Sequence, residues 1–221
     1  MGIMGSLVRK FLSDQTIYWL KLDWHFLLLR LSLQNLNRIK PNAKFLNVGC
    51  GPQGLESEDW FNLDGFPKPG LDLAWDATRC LPFPEQRFQG IYAEHFFEHL
   101  EPHQAKHFLS ECRRSLVPGG ILRLSVPDGE LYLKRYFEDR EWMLARRNRR
   151  FQTPMEVINE VFRQGREHHY CFDYETLSLW LRNAGFVEVV RADLGLGACP
   201  ELLIDQEWRK FESLYVEARR P

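Results

Sequence analysis

The chain has 221 residues, of which 44% are hydrophobic and 27% are charged. These values are those of an ordinary globular protein and exclude a fibrous or a disordered chain. Its 29 basic and 30 acidic residues leave a net charge of −1, so we expect no nucleic-acid partner. Five scattered cysteines without a Cys-x-x-Cys pair indicate a reduced, cytoplasmic location and no metal site.

Residues 1–40 are predicted to form an N-terminal helical extension. Helical spacing joins six apolar residues in one stripe: Ile17, Leu20, Trp24, Leu27, Leu28 and Leu31. Such a face packs against the main domain or a second copy of the chain, as in a homodimer. The alternatives are peripheral contact with a membrane surface and a lid over the active site. The apolar runs are too short for a secretory signal or a transmembrane segment.

Short apolar runs alternate with helical patterns from Lys44 onward, which predicts an α/β domain over residues 41–221. Seven strands are predicted, at 45–48, 60–63, 71–74, 89–93, 121–126, 186–190 and 214–218. One helix precedes the fifth strand, with Leu116 on its apolar face and a stop at residues 118–120. Another helix begins at Asp173 as N-cap and closes at Gly185.

A glycine-rich loop, Gly49-Cys50-Gly51-Pro52-Gln53-Gly54, follows the first strand. Glycines let the backbone turn sharply and let a ligand approach it closely. A short helix is predicted after the loop, within residues 55–59. Because G-x-G-x-x-G also describes dinucleotide-binding loops, an NAD(P)-dependent oxidoreductase is one alternative function.

Two carboxylates end neighbouring strands. Asp64 ends the second strand and Asp76 follows the third. Strand ends line the crevice where a nucleotide lies in a doubly wound sheet. A carboxylate there can accept hydrogen bonds from both ribose hydroxyls, and a second can meet the amine of an adenine. The alternative is that both aspartates are ordinary turn residues.

Three further short sequence motifs follow in chain order: Leu81-Pro82-Phe83, Glu98-His99-Leu100 and Leu116-Val117-Pro118-Gly119-Gly120. With the glycine loop and the two aspartates, they resemble the class I S-adenosylmethionine-dependent methyltransferases, in their small-molecule, type 11-like branch. The resemblance covers residues 44–128 closely and the rest of the chain more loosely. It implies a doubly wound, Rossmann-like sheet of seven mostly parallel strands with the last strand antiparallel.

The resemblance also implies S-adenosyl-L-methionine as cofactor. Gly49 and Gly51 would pass beneath its methionine portion and Asp64 would hold the ribose. Asp76 and Ala77 would contact the adenine, and Glu94 would lie near the sulfonium. The cofactor-binding residues are therefore predicted to be Asn47, Gly49, Cys50, Gly51, Asp64, Asp76, Ala77 and Glu94. Asn47 departs from the family, which often has an acidic residue there, and this departure weakens the pull on the cofactor's ammonium group.

Methyl transfer from a sulfonium is an in-line displacement, so the protein must chiefly align the reactants and exclude water. A small-molecule acceptor is expected, methylated on oxygen or nitrogen. If the acceptor is a hydroxyl or a protonated amine, a general base would help to remove its proton, and His95 and His169, or the neighbouring His168, are the candidates.

Residues 129–170 are predicted to be a substrate-side insertion over the acceptor site. The arginine cluster at 146–150 within it either recognises an anion or forms a solvated face. A last alternative is a non-catalytic binding or scaffold protein that kept the fold. One observation speaks against the alternative function of an NAD(P)-dependent oxidoreductase: the chain contains no Tyr-x-x-x-Lys pair.

Overall fold

The structure is a computed structural model that describes Thr16 and residues 40–51, 54–66, 70–146 and 151–221. The predicted N-terminal helical extension lies outside these residues, apart from Thr16 and Lys40. So do Pro52 and Gln53 of the glycine loop and residues 147–150 of the arginine cluster. In the described part of the chain, no helix combines the length and the apolar character that a membrane crossing needs.

Seven strands form a single sheet in the order β3-β2-β1-β4-β5-β7-β6. In chain order they are β1 (Phe45–Val48), β2 (Trp60–Asp64), β3 (Leu73–Ala74), β4 (Phe88–Glu94), β5 (Leu116–Pro127), β6 (Val187–Ala192) and β7 (Ser213–Arg219). Strands β1 to β5 pair in parallel, whereas β7 runs antiparallel to both β5 and β6. The doubly wound sheet with an antiparallel last strand is therefore confirmed.

The central strands are buried on both faces, because each face of the sheet is covered by other segments. On one face, Leu46 and Val48 of β1 join the main core with Phe108 and Leu177, which come from two helices. On the other face, Phe45 packs in a smaller cluster that consists of Phe45, Trp60, Tyr92, Ile121 and Leu202. Alternate residues of β1 thus serve different cores, as the two-residue period of a strand requires.

The helices are α1 (Pro102–Ser115), α2 (Gly129–Glu138), α3 (Arg140–Arg146), α4 (Pro154–Arg163) and α5 (Tyr174–Asn183). The predicted N-cap of α5 is confirmed, since Asp173 accepts a hydrogen bond from the Thr176 N–H at 2.8 Å. Helices α2, α3 and α4 fill most of the predicted insertion. They share a separate small core of Tyr132, Met143, Val157, Ile158 and Val161.

Most predicted strand bounds differ from the structure by one or two residues, and two differences have a clear structural cause. Helix α1 ends at Ser115, and Leu116 already pairs with Phe88 as the first residue of β5. The next pair is Gly90 with Ile121, so the register of the strand shifts across residues 117–120. Strand β3 begins only at Leu73, because the Asp72 carboxylate accepts the Asn62 N–H at 2.7 Å in place of a backbone partner.

Candidate active site

The chain reverses its strand order between β1 and β4, where a doubly wound sheet opens a crevice at the carboxyl ends of its strands. The glycine loop follows β1 at this edge and Asp64 ends β2 beside it. His95 follows β4 on the other side of the crevice. The fold therefore brings the residues that follow β1, β2 and β4 to one edge of the sheet.

Asp64 is nearly buried and contacts the glycine loop directly. Its Oδ2 accepts the Gly51 N–H at 2.9 Å, and its Oδ1 accepts the Phe66 N–H at 3.1 Å. The loop is tied to β2 a second time, because the Gly49 N–H donates to the Leu63 carbonyl at 2.8 Å. A carboxylate has about four acceptor sites, so a group oriented in this way can also accept ribose hydroxyls.

Gly49 and Gly51 both have positive φ angles, of +66° and +61°, which favour glycine. A Cβ at Gly49 would lie 2.8 Å from the Cβ of Phe96, whereas a Cβ at Gly51 would meet no atom within 4 Å. Of the two glycines, Gly51 thus borders open space beside Asp64. A loop of this shape fits a cofactor that runs over its backbone.

We expect Gly49→Ala to destabilise the protein more than Gly51→Ala. The left-handed conformation costs either alanine about 1–2 kcal/mol. At Gly49 the contact with Phe96 adds overpacking, which costs about 1–3 kcal/mol. Urea denaturation of the two variants measures the difference. Equal free energies of unfolding would show that Phe96 does not restrict this position.

The predicted helix within residues 55–59 is wrong, since residues 54–59 form a loop and a turn. The Asn62 side chain replaces helical hydrogen bonds there. It accepts from the Leu55 N–H at 3.0 Å and donates to the Leu55 carbonyl at 2.8 Å. Asn47 stands where the family often has an acidic residue. It is buried, and its side-chain amide donates to the Asn62 Oδ1 at 3.3 Å.

Asp76 lies in the turn after β3 and accepts hydrogen bonds from its own neighbours. Its Oδ1 accepts the Thr78 N–H at 3.0 Å and the Thr78 hydroxyl at 2.6 Å, and its Oδ2 pairs with Arg79 at 2.9 Å. The methyl group of Ala77 belongs to the main core. The contacts of Asp76 hold the turn in shape, and an adenine contact at this position stays a prediction.

Cys50, the middle residue of Gly49-Cys50-Gly51 in the glycine loop, is buried.

Glu94 ends β4 half-buried, and its Oε1 accepts the Gln206 N–H at 3.1 Å. Burial raises the pKa of the Glu94 carboxyl, and the hydrogen bond from Gln206 opposes that rise. Glu94 therefore ties the segment before β7 to the carboxyl edge of the sheet.

His95 adopts a φ of +46°, which is uncommon for a residue with a side chain. Its Nε2 lies 2.7 Å from the Ser213 hydroxyl, and its Nδ1 lies 3.3 Å from the Glu98 Oε1. The backbone is held by the His95 N–H, which donates to the Ser125 carbonyl at 2.8 Å. Strained residues of this kind cluster at functional sites.

The other two histidine candidates differ in exposure. The His169 imidazole is partly exposed and pairs with Glu101 at 2.9 Å. The His168 imidazole is nearly buried, and its Nε2 lies 3.9 Å from the Glu98 Oε1. Burial lowers the pKa of His168. His95 and His168 therefore share Glu98 as a neighbour, whereas His169 points to another carboxylate.

Arg123, in the middle of β5, is a fully buried arginine that no sequence motif had indicated. Its guanidinium forms ion pairs with Asp205 and Glu217, and donates to the carbonyls of Leu196 and Asp193 at 3.0 Å. Burial alone lowers the pKa of Arg123, but the two carboxylates raise it above its ordinary value. The signal in the sequence was a single charge within the apolar run 121–126.

A protein-family model described as a methyltransferase domain matches residues 20–191, which is more than half of the chain. No curated protein matches significantly. Among solved structures, a SAM-dependent methyltransferase from Archaeoglobus fulgidus is 17% identical, with a TM-score of 0.48. The alignment covers 86% of this chain and 93% of that one.

A second similar structure is the 1,6-didemethyltoxoflavin-N1-methyltransferase of Burkholderia thailandensis, solved with its substrate and S-adenosylhomocysteine. It is 14% identical, with a TM-score of 0.48, and the alignment covers 86% of this chain and 77% of that one. The family match agrees with the sheet order and with the loop after β1. The chain belongs to the methyltransferase-domain family.

Proposed function

We propose that this methyltransferase acts on an oxygen or nitrogen atom of a small molecule, bound between the turn after β4 and the segment 129–170. The observation that carries this proposal is the contact between the end of that segment and Glu98. The Glu98 carbonyl accepts the N–H groups of His169 at 2.9 Å and Tyr170 at 3.3 Å. The segment thus returns to the crevice edge.

Further contacts tie both ends of the segment to the sheet. The Gly129 N–H donates to the Phe172 carbonyl at 2.8 Å, and Asp128 and Phe172 form an isolated parallel bridge. Between these ends, α2, α3 and α4 pack on their own small core. A helical layer anchored in this way supports a role as one wall of an acceptor site. A wall of this kind excludes water from the reacting atoms.

S-adenosylmethionine supplies an electrophilic methyl group on its sulfonium. We assign Asp64 to the ribose hydroxyls and the Gly49–Gly51 loop to the methionine portion. His95 is the assigned general base, because the Ser213 hydroxyl orients its Nε2 at 2.7 Å and the Glu98 carboxylate faces its Nδ1 at 3.3 Å without forming a hydrogen bond. An imidazole in this position would take the proton from a hydroxyl or an amine as the carbon–oxygen or carbon–nitrogen bond forms and the methyl carbon–sulfur bond breaks, which leaves S-adenosylhomocysteine.

To test this proposal, the protein is incubated with isotope-labelled S-adenosylmethionine and a cell extract, and the extract is then fractionated. We expect label in the low-molecular-weight fraction, attached to oxygen or nitrogen as read by mass spectrometry. His95→Gln should lower the rate about 100-fold or more. Label in protein or nucleic acid would contradict the small-molecule acceptor, and no transfer to any fraction would favour a non-catalytic protein.

A further inference from the structure

Glu98 is a buried carboxylate with no hydrogen-bond partner for either oxygen among the described residues. It is 1% exposed, and both of its Oε atoms lack a donor within hydrogen-bond geometry. A buried ionisable group normally finds a donor, a counter-charge or a metal ion, because leaving it unpaired is costly. The surroundings of Glu98 must therefore supply a cation or a proton.

Two histidines next to Glu98 have their ring protons fixed by backbone carbonyls. The His99 Nδ1 lies 3.0 Å from the Glu167 carbonyl, and the His168 Nδ1 lies 2.6 Å from the Val161 carbonyl. A carbonyl only accepts hydrogen bonds, so both Nδ1 atoms carry the proton. Both Nε2 atoms consequently have a free electron pair. Backbone carbonyls orient the imidazoles of metal-binding histidines in the same way.

The three side chains lie close enough to share one ion. Glu98, His99 and His168 each offer a ligand atom, and these atoms lie within 4.8 Å of one another. The two imidazole rings are nearly perpendicular, at 80°, with centroids 4.8 Å apart. Ligands of a zinc ion lie about 2.0–2.2 Å from the metal, so the side chains would need to close by about 1 Å.

We propose that Glu98, His99 and His168 bind a divalent transition-metal ion of the Zn²⁺ type. Two imidazoles and one carboxylate suit first-row ions from Fe²⁺ to Zn²⁺ and do not suit Mg²⁺ or Ca²⁺, which prefer oxygen ligands. The His95 Nδ1, 3.3 Å from the Glu98 Oε1, is a neighbour of this site. The ion neutralises the buried carboxylate and joins the turn that carries Glu98 to the loop that carries His168.

The chain's cysteine spacing indicated no metal site, but these ligands come from two separated parts of the sequence. Glu98 and His99 belong to the 3-10 turn Phe97–His99 after β4, and His168 follows the turn Gln164–Arg166. The backbone hydrogen bonds to the Glu98 carbonyl bring the two together. The half-buried edge of His99 leaves a path for the ion to enter.

Titration of the chelator-treated full-length protein with Co²⁺ and Zn²⁺ tests the site. We expect one equivalent of Co²⁺ to produce intense visible d–d bands, which Zn²⁺ then removes by competition. Zn²⁺ should also raise the melting temperature. Glu98→Gln and His168→Gln should each weaken Zn²⁺ binding about 100-fold or more. His103→Gln is the matched control, since His103 is an exposed histidine on α1 outside the cluster, and it should bind as the unaltered protein does.

Circular dichroism shows whether each variant is folded, and the Co²⁺ spectrum of the unaltered protein tests the site even if a variant fails to fold. Weak featureless Co²⁺ absorption without a Zn²⁺-dependent rise in melting temperature would overturn the proposal. Equal Zn²⁺ affinity of folded His168→Gln and the unaltered protein would also overturn it.

Discussion

Asp64→Ala is expected to weaken binding of S-adenosylhomocysteine at least about 100-fold while the protein stays folded. A hydrogen bond to a charged group contributes about 1.5–3 kcal/mol, and the proposed ribose contact has two of them. Each 1.4 kcal/mol corresponds to a tenfold change in affinity. The variant also removes the acceptor of the Gly51 N–H, so the loop loses orientation in the same step. Isothermal titration calorimetry measures the affinity.

Asp59→Ala is the matched control for this prediction. Asp59 precedes the same strand at its opposite end, its side chain is 55% exposed, and it forms an ion pair with Lys44 at 3.0 Å. We expect its affinity for S-adenosylhomocysteine to match that of the unaltered protein. If Asp64→Ala binds as tightly as Asp59→Ala, the assignment of Asp64 to the ribose is wrong, and Asp64 only closes the loop.

Arg123→Met is expected to lower the free energy of unfolding by about 3–5 kcal/mol. The methionine fills similar space, but it leaves the carboxylates of Asp205 and Glu217 buried without their cation. Removing one partner of a buried ion pair has this cost because the other charge stays desolvated. For a chain of this size the melting temperature should fall by about 10 °C. Urea denaturation and calorimetry measure both quantities.

A triple variant shows whether the lost stability comes from unpaired buried charges or from a loss of packing. Arg123→Met combined with Asp205→Asn and Glu217→Gln removes the unpaired charges, and at least half of the lost stability should return. Arg219→Met is the control, because its ion pair with Glu188 is exposed and contributes less than about 1 kcal/mol. No recovery in the triple variant would mean that the shape of the guanidinium, and not its charge, is what β5 requires.

Arg123 also affects the proposed active site, because it holds the segment between β6 and β7. Its carbonyl partners and Asp205 belong to the segment between β6 and β7, and the next residue, Gln206, donates to Glu94. Loss of the ion pairs should therefore release Glu94 as well as destabilise the sheet. This link joins a buried network on one face of the sheet to the carboxyl edge where the cofactor site is proposed.

Features of the fold that depend on local pattern could be predicted from the amino-acid sequence. Apolar runs between helical patterns predicted all seven strands and their mostly parallel pairing. Side-chain caps act over a few residues, which is why the start of α5 at Asp173 was predictable. The order of the boxes from Gly49 to Gly120 identified the family, since ordered motifs carry far more information than one glycine loop.

Features that depend on contacts between residues distant in the chain could not be predicted in this way. The absence of a helix in residues 54–59 follows from the Asn62 amide, and the early start of β5 follows from its pairing with Phe88. The Arg123 network and the Glu98 cluster likewise join segments that are far apart in sequence. Hydrogen bonds and ion pairs between such segments leave no periodic trace, because their partners meet only once the sheet has formed.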